Sequence, residues 1–491
     1  MDFLDPKKQR QHTIQLAVGY VLISIAITIA TIILLVMAYG FGRGKDGEVV
    51  QRGIVFISST PSGAAIRLSN SKDNLATTNT RELLLEGTYT LNLTRSGYRP
   101  WSRQITVVGG SIAHYDYPFL FPATLKTSAV KTFAGAPPLA TQSPSQRWLL
   151  VQHPEDTPTF DVFDRDNPKS TSTTITLPNT LVTPGTNQSW EVMEWASDND
   201  HVLLKHLYDG KSEFIMLDRG DPSKSLNLNQ TLNLSPTKLS LRDKKYDQYY
   251  VYDATDQTLK TVSLDKPMPD AYLEHIIDYQ SYGSDTMLYA SSASSGKSKV
   301  AIDLLQSGKT YNLREVTAGT TYLLNLTRYS HAWYVAVGAS SESKVYVYKN
   351  PVTQLNSKLG VLVPIAILKT VQPTYLAFSD NARFITSENG SVFSVYDAEN
   401  DESYTYDTKA PLDAPQAHAT WMDGHRLTYV SGGKLLVFDY DHKNVQSLMA
   451  ASPDYTPFFS SNYKFVDTFA LPDPAGQTVL TTTSLRTPAD Q

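Results

Sequence analysis

The sequence predicts a mainly β chain: one N-terminal transmembrane helix, a small β-sandwich and then a seven- or eight-bladed β-propeller. Three observations carry this. From Ile14 to Phe41 there is no Asp, Glu, Lys, Arg, His, Asn or Pro, and Gln15 is the only strongly polar residue. From Gln51 to Val108 short strands alternate with turns, with no 3.6-residue period over a helix-sized window. Beyond Ala123 one strand–turn–strand unit recurs about every 45 residues, the spacing of propeller blades.

The apolar run gives roughly 42 Å of helix, enough to cross a ~30 Å hydrocarbon core with some tilt. Lys7, Lys8 and Arg10 precede it, against Arg43 and Lys45 beyond it, and basic residues tend to stay cytoplasmic. The expected order is a cytoplasmic tail at 1–13, a transmembrane helix at 14–41 and a linker at 42–50, with everything after it extracytoplasmic. A cleavable signal peptide is the competing reading. Its apolar region should run only about 7–15 residues before a small-x-small site. Met37-Ala38-Tyr39-Gly40-Phe41-Gly42 places bulky residues between the small ones.

Composition narrows the function classes. The chain has no cysteine, so disulfide scaffolds, thiol catalysis and cysteine-ligated metals are excluded. A net charge of −5 argues against a general nucleic-acid surface, which needs a basic patch to displace counterions.

In the first β region, Ile54-Val55-Phe56-Ile57 leads to the turn Thr60-Pro61-Ser62-Gly63 and then to Ala64–Leu68. Leu83-Leu84-Leu85 precedes Glu86-Gly87, after which Tyr89, Leu91 and Leu93 alternate with Thr90, Asn92 and Thr94, the period of a half-buried strand. Gly97-Tyr98-Arg99-Pro100 turns into Trp101. Taken in order, Pro61, Gly63 and Ala64, then Gly87 and Tyr89, then Gly97, Tyr98 and Trp101 resemble the PEGA domain over residues 51–113. That family is named for a Pro-Glu-Gly-Ala turn, and here Ser62 stands in place of the glutamate. The resemblance implies a small non-enzymatic module of prokaryotic surface proteins. Read physically, Gly63, Gly87 and Gly97 supply positive φ, while Tyr89, Tyr98 and Trp101 pack in the core or across strands. An exposed ligand-stacking pair is the alternative for Tyr98 and Trp101.

The repeat over 123–491 has eight copies, with Trp148, Leu203, Tyr249, Leu288, Tyr334, Phe384, Leu427 and Phe465 as equivalent positions. A Ser-, Asp- or Asn-rich turn introduces each first strand, and a second strand usually ends at Asp or Lys. Eight copies suggest eight blades, or seven if one is split between the chain ends to close the ring. Ser143-Pro144-Ser145-Gln146-Arg147 and Ser379-Asp380-Asn381-Ala382-Arg383 resemble the turns of TolB-like and other WD40-like propellers. The alternative is a β-sandwich array in 90–100-residue units.

No catalytic motif emerges, and no cofactor is expected. His201/His206 and His418/His425 lack the spacing of helical metal ligands, so no metal site is expected. Gly296-Lys297-Ser298 ends like a phosphate loop, but Ser291 occupies the first glycine position. Asp439-Tyr440-Asp441-His442 and Asp164-Arg165-Asp166-Asn167 resemble calcium-loop fragments without the glycine and closing glutamate. Turn capping is the favoured role, with weak calcium at Asp164/Asp166 the alternative. No Gly-x-Ser-x-Gly elbow is present. The expectation is therefore a membrane-anchored, non-catalytic scaffold or binding protein of the cell envelope, engaging wall polymer, glycan or surface proteins. The rival is a propeller enzyme cleaving envelope glycan or peptide. It would show converging carboxylates or histidines in the axial pocket, where a binder would show aromatic and hydrogen-bonding groups.

Overall fold

The structure, a computed structural model, describes residues 6–38, 40–43, 48–69, 76–154, 158–168, 170–292, 298–319, 321–414 and 417–490. It divides into two compact units, 1–124 with 486–491, and 125–485.

In the first unit, helix α1 spans Pro6–Ala38, and its apolar part, Gln9–Ala38, is long enough to cross a membrane. The helix starts and ends earlier than the 14–41 expected. Pro6 suits a first helical turn, and Lys, Gln and Arg are good helix formers, so the polar tail continues the helix backward. At the other end Gly40 takes φ +75° and closes onto the Met37 carbonyl, 3.1 Å away. Phe41 is therefore in a strand. Within the segment expected as a linker, 42–50, the described ends are strand: β1 (Phe41–Arg43) pairs antiparallel with β2 (Val49–Ile57).

The sandwich that follows has two sheets. One holds β1, β2, β4 (Thr80–Leu85) and β7 (Ile112–Tyr115), the last parallel to β2. The other holds β3 (Ala65–Leu68), β5 (Gly87–Thr94) and β6 (Trp101–Val107). Val55 and Ile57 from one sheet, and Ile66, Leu91, Leu93, Trp101, Ile105 and Val107 from the other, form the buried interior. The chain's final residues belong to this unit: the Tyr98 hydroxyl donates to Asp490 Oδ2 at 2.8 Å and accepts the Thr487 N–H at 3.0 Å. Tyr98→Phe removes both bonds while keeping the ring. It is expected to cost about 0.5–1.5 kcal/mol, the net worth of a hydrogen bond whose partners are half-buried, since Asp490 keeps Arg95 and the Thr487 hydroxyl. Chemical denaturation of the purified chain, followed by tryptophan fluorescence, checks this.

The second unit contains, among the described residues, eight four-stranded antiparallel sheets. Seven are consecutive meanders: 140–176, 189–227, 238–274, 276–317, 322–368, 375–407 and 420–450. The eighth takes three strands from 458–484, and its fourth, β8 (Lys126–Phe133), comes from the start of the unit and pairs with Thr478–Ser484. Splitting a blade thus closes the ring without reducing the number to seven.

Successive blades share apolar clusters. Phe160 and Ile175 of blade 1 pack with Val202 and Ile215 of blade 2, and Val335 and Val337 of blade 5 pack with Ile302 and Val316 of blade 4. Phe133, Phe469 and Leu480 of blade 8 pack with Leu149 and Val151 of blade 1, which joins the last blade to the first.

The recurrent turn residues have a mechanical explanation. Ser143, Ser379 and Ser460 each accept, on Oγ, the N–H five residues on, at 3.1, 3.0 and 3.0 Å. In blades 2 and 7 the aspartates Asp198 and Asp423 accept turn N–H groups instead. The arginine leaving the turn then forks onto the aspartate ending the second strand that follows it: Arg147 onto Asp164 at 3.1 and 2.9 Å, and Arg383 onto Asp397 at 2.8 and 2.6 Å.

Candidate binding site at the propeller axis

The first strands of neighbouring blades adjoin one another, so their outward-alternating residues line the axis. In blade 3, Leu239 and Leu241 are buried between blades while Lys238 and Ser240 point the other way. Blades 2 to 4 together line a cavity of about 270 Å³ with Met193, Glu194, Lys238, Ser240, Lys244, Tyr279 and Gln280. Its charges are paired across blades. Lys244 of blade 3 meets Glu194 of blade 2, Glu194 also accepts the Leu241 N–H, and Lys238 lies 3.5 Å from Asp278 of blade 4. Lys238 Nζ also sits over the Tyr279 ring, 4.6 Å from its centre, and the Tyr279 and Ser240 hydroxyls are 2.8 Å apart. Burial holds the Tyr279 phenol well above its ordinary pKa, so it acts as a neutral hydrogen-bonding group. This wall offers ammonium, carboxylate, hydroxyl, amide and aromatic groups side by side.

Perturbed acids also occur. Although Asp380 keeps solvent on one side, crowding that strips its hydration and the charge of Asp423 push its carboxyl up to about 6. Asp423 is held by Arg426 at 3.1 Å and by two turn N–H groups. Burial also raises Asp303, Glu388 and Asp467, and the last two lie buried between blades rather than at the axis. Glu388 of blade 6 takes the Ala419 N–H of the segment entering blade 7, and Asp467 of blade 8 takes Arg165 of blade 1.

The residues singled out from sequence fall as follows. The Thr60–Pro61 bond is cis, Gly63, Gly87 and Gly97 have φ of +80°, +151° and +82°, and Ala64 is buried. The Tyr89 hydroxyl donates to the Leu85 carbonyl at 2.9 Å. Tyr98 and Trp101 are both buried, with Trp101 edge-on to Tyr117. The two histidine pairs do not converge: His201 stacks on Tyr246, His206 is buried between Glu213 and Gln188, His418 stacks on Tyr375, and His425 packs edge-on to Phe384. Arg147 holds the Asp164 carboxyl below its usual range, with Asp166 3.7 Å from the same guanidinium. Asp439 accepts from Asn444 Nδ2 at 2.7 Å. Gly296 and Lys297 lie outside the described residues. The axial residues escaped the sequence reading, although the alternation Lys238-Leu239-Ser240-Leu241 marks a strand with one polar face. Their convergence depends on ring closure, which no local pattern contains.

An N-terminal apolar helix long enough to cross a membrane, a two-sheet sandwich and a closed ring of eight blades define the class. Residues 52–119 match the PEGA domain family. No curated protein matches the chain. Among solved structures, the chain is similar to the Dos1 propeller at 13% identity and TM-score 0.44, covering 73% of this chain and 95% of that one. It is similar to an oligogalacturonate lyase in complex with manganese at 10% and 0.38, covering 75% and 100%. It is also similar to the dihydro-heme d1 dehydrogenase NirN at 13% and 0.40, covering 64% and 66%. The ring itself is read from the strand pairing above, which stands without these likenesses.

Proposed function

We propose that the protein is a membrane-anchored binding scaffold of a prokaryotic cell envelope, with its N-terminal tail in the cytoplasm and its sandwich and propeller outside. In this reading the propeller engages wall polymer, glycan or a surface protein through its axial wall. The observation that carries it is the direct succession of apolar helix, PEGA domain and propeller, with axial charges neutralised in cross-blade pairs rather than left to do chemistry. A site built this way recognises a polar ligand by exchanging hydrogen bonds and ion pairs, without an acid or base poised against it. The Asp380–Asp423 pair is the one feature among the described residues favouring the rival, a glycan- or peptide-cleaving enzyme, since a carboxyl whose proton affinity is raised by lost hydration and a neighbouring carboxylate is one half of an acid/base arrangement.

Retention of the detergent-purified chain on cell-wall fractions tests the proposal. The wild type is expected to be retained, Lys238→Met with Lys244→Met to lose retention, and Asp380→Asn to keep it. No retention of the wild type on wall, glycan or surface-protein fractions contradicts the binding role. Turnover of a wall polymer that Asp380→Asn abolishes supports the enzyme instead.

A further inference from the structure

We infer that the end of the sandwich adjoining the helix rests in the lipid headgroup layer, so that the PEGA domain is itself a membrane-surface contact; this depends on the anchor reading above. The inference starts from chain connectivity. Helix α1 ends at Ala38 and β1 begins at Phe41, so the strand starts within about 10 Å of the helix end at ~3.3–3.6 Å per residue. The Gly40 carbonyl accepts the Arg52 N–H at 2.9 Å, which fixes β2 beside that point. On the same edge of β2, the Arg52 carbonyl accepts the Gly110 N–H at 3.0 Å, so the Val108–Ser111 turn lies beside Gly40 along that edge.

This end exposes a set of apolar side chains beside the charged Glu48, Arg52 and Glu86. Val49 is 68% exposed, Val108 55%, Ile112 60% and Leu83 55%. The last two belong to one row: Ile54 of β2 is paired with Leu83 of β4 on one side and with Ile112 of β7 on the other. Paired residues share a face, so the three side chains form a band across the sheet, on the side opposite buried Val55 and Ile57. Ile54 is two residues past Arg52, about 7 Å along the strand. The headgroup layer extends roughly 5–7 Å beyond the hydrocarbon on each side. A helix that ends at the hydrocarbon boundary, with the sheet lying along the bilayer surface, brings these side chains to the interface. There, burial of apolar surface is favourable at about 25 cal/mol per Å². A second copy of the chain is the competing occupant. Lipid is preferred because the connection to the helix forces that proximity, whereas nothing comparable brings a second copy there.

The test uses the full chain in vesicles of phosphatidylcholine and phosphatidylglycerol. Since the chain has no cysteine, Val108→Cys, Ile112→Cys and Ser357→Cys each give a single site for an environment-sensitive fluorophore. Ser357 is an exposed propeller residue and serves as the aqueous reference. The first two are expected to shift to the blue and, with nitroxide carried at the lipid headgroup, to lose about half their emission, because interfacial apolar faces sit ~5–10 Å deep. The Ser357→Cys probe should do neither. Water-like emission from Val108→Cys and Ile112→Cys in a carbonate-resistant protein overturns this inference alone. A blue shift without quenching also overturns it, in favour of a protein neighbour. Release of the whole chain by carbonate overturns the anchor reading beneath it.

Discussion

Replacing Arg165 by methionine is expected to destabilise the propeller by about 3–5 kcal/mol, the range found when one member of a buried ion pair is removed. Arg165 follows the third strand of blade 1, and Asp467 lies in blade 8. The guanidinium reaches Asp467 Oδ1 at 2.6 Å and the Thr482 hydroxyl at 3.2 Å, and both ions are buried. Burial already pushes the Asp467 carboxyl up to about 6, against the pull of Arg165. Without the arginine, the carboxylate must either remain an unpaired buried charge or take up a proton. Arg165→Met should therefore also become more sensitive to rising pH. Arg165→Met with Asp467→Leu removes both ions, keeps apolar volume and should recover most of the loss. Urea midpoints for the two variants separate an electrostatic seam from simple loss of packing. If the double variant is as unstable as the single one, the pair is not the cause.

The second large effect concerns Glu388. Burial pushes its carboxyl up to about 8 despite the bonds from the Ala419 N–H at 2.8 and 3.1 Å. The ordinary value is 4.5. The folded chain thus holds a proton that the unfolded chain releases, and stability falls as pH rises from about 4.5 to about 8. Over that window the loss is on the order of a few kcal/mol, since each tenfold difference in proton affinity between the folded and unfolded chain is worth ~1.4 kcal/mol. Asp467 adds a smaller decline of the same sign between its ordinary value of 3.8 and about 6. Glu388→Gln keeps an acceptor for the Ala419 N–H and removes the titration. It should flatten the upper part of the pH profile and be more stable than wild type above pH 8. Thermal melts at pH 5, 7 and 9 check this, and parallel profiles for the two proteins would show that Glu388 is ionised throughout.

Both residues show where legibility stops. The 45-residue step was readable because each blade solves the same local problem: a serine or aspartate closing a turn, then a strand whose terminal aspartate receives an arginine. Those partners are close in sequence, 17 residues apart for Arg147–Asp164 and 14 for Arg383–Asp397. Arg165 and Asp467 are 302 residues apart. In sequence Arg165 stands between Asp164 and Asp166 and reads as one more polar turn residue. Glu388 ends a strand whose Thr386, Ser387 and Glu388 look solvated, yet all three are buried. The axial wall was hidden for the same reason, since Glu194, Lys238 and Asp278 become neighbours only when separate blades face one axis. At the N-terminal end, hydropathy located the apolar helix, but the left-handed turn at Gly40 decided where helix gives way to strand.

Single-cysteine labelling in intact cells tests the central claim most directly. With Gln9→Cys in the tail and Ser357→Cys in the propeller, a membrane-impermeant maleimide is expected to label the second in intact cells. It should label the first only after lysis, with both proteins in the membrane fraction. Labelling of Gln9→Cys but not of Ser357→Cys in intact cells, or recovery of the propeller as a soluble fragment lacking the helix, would contradict a display scaffold anchored by residues 9–38.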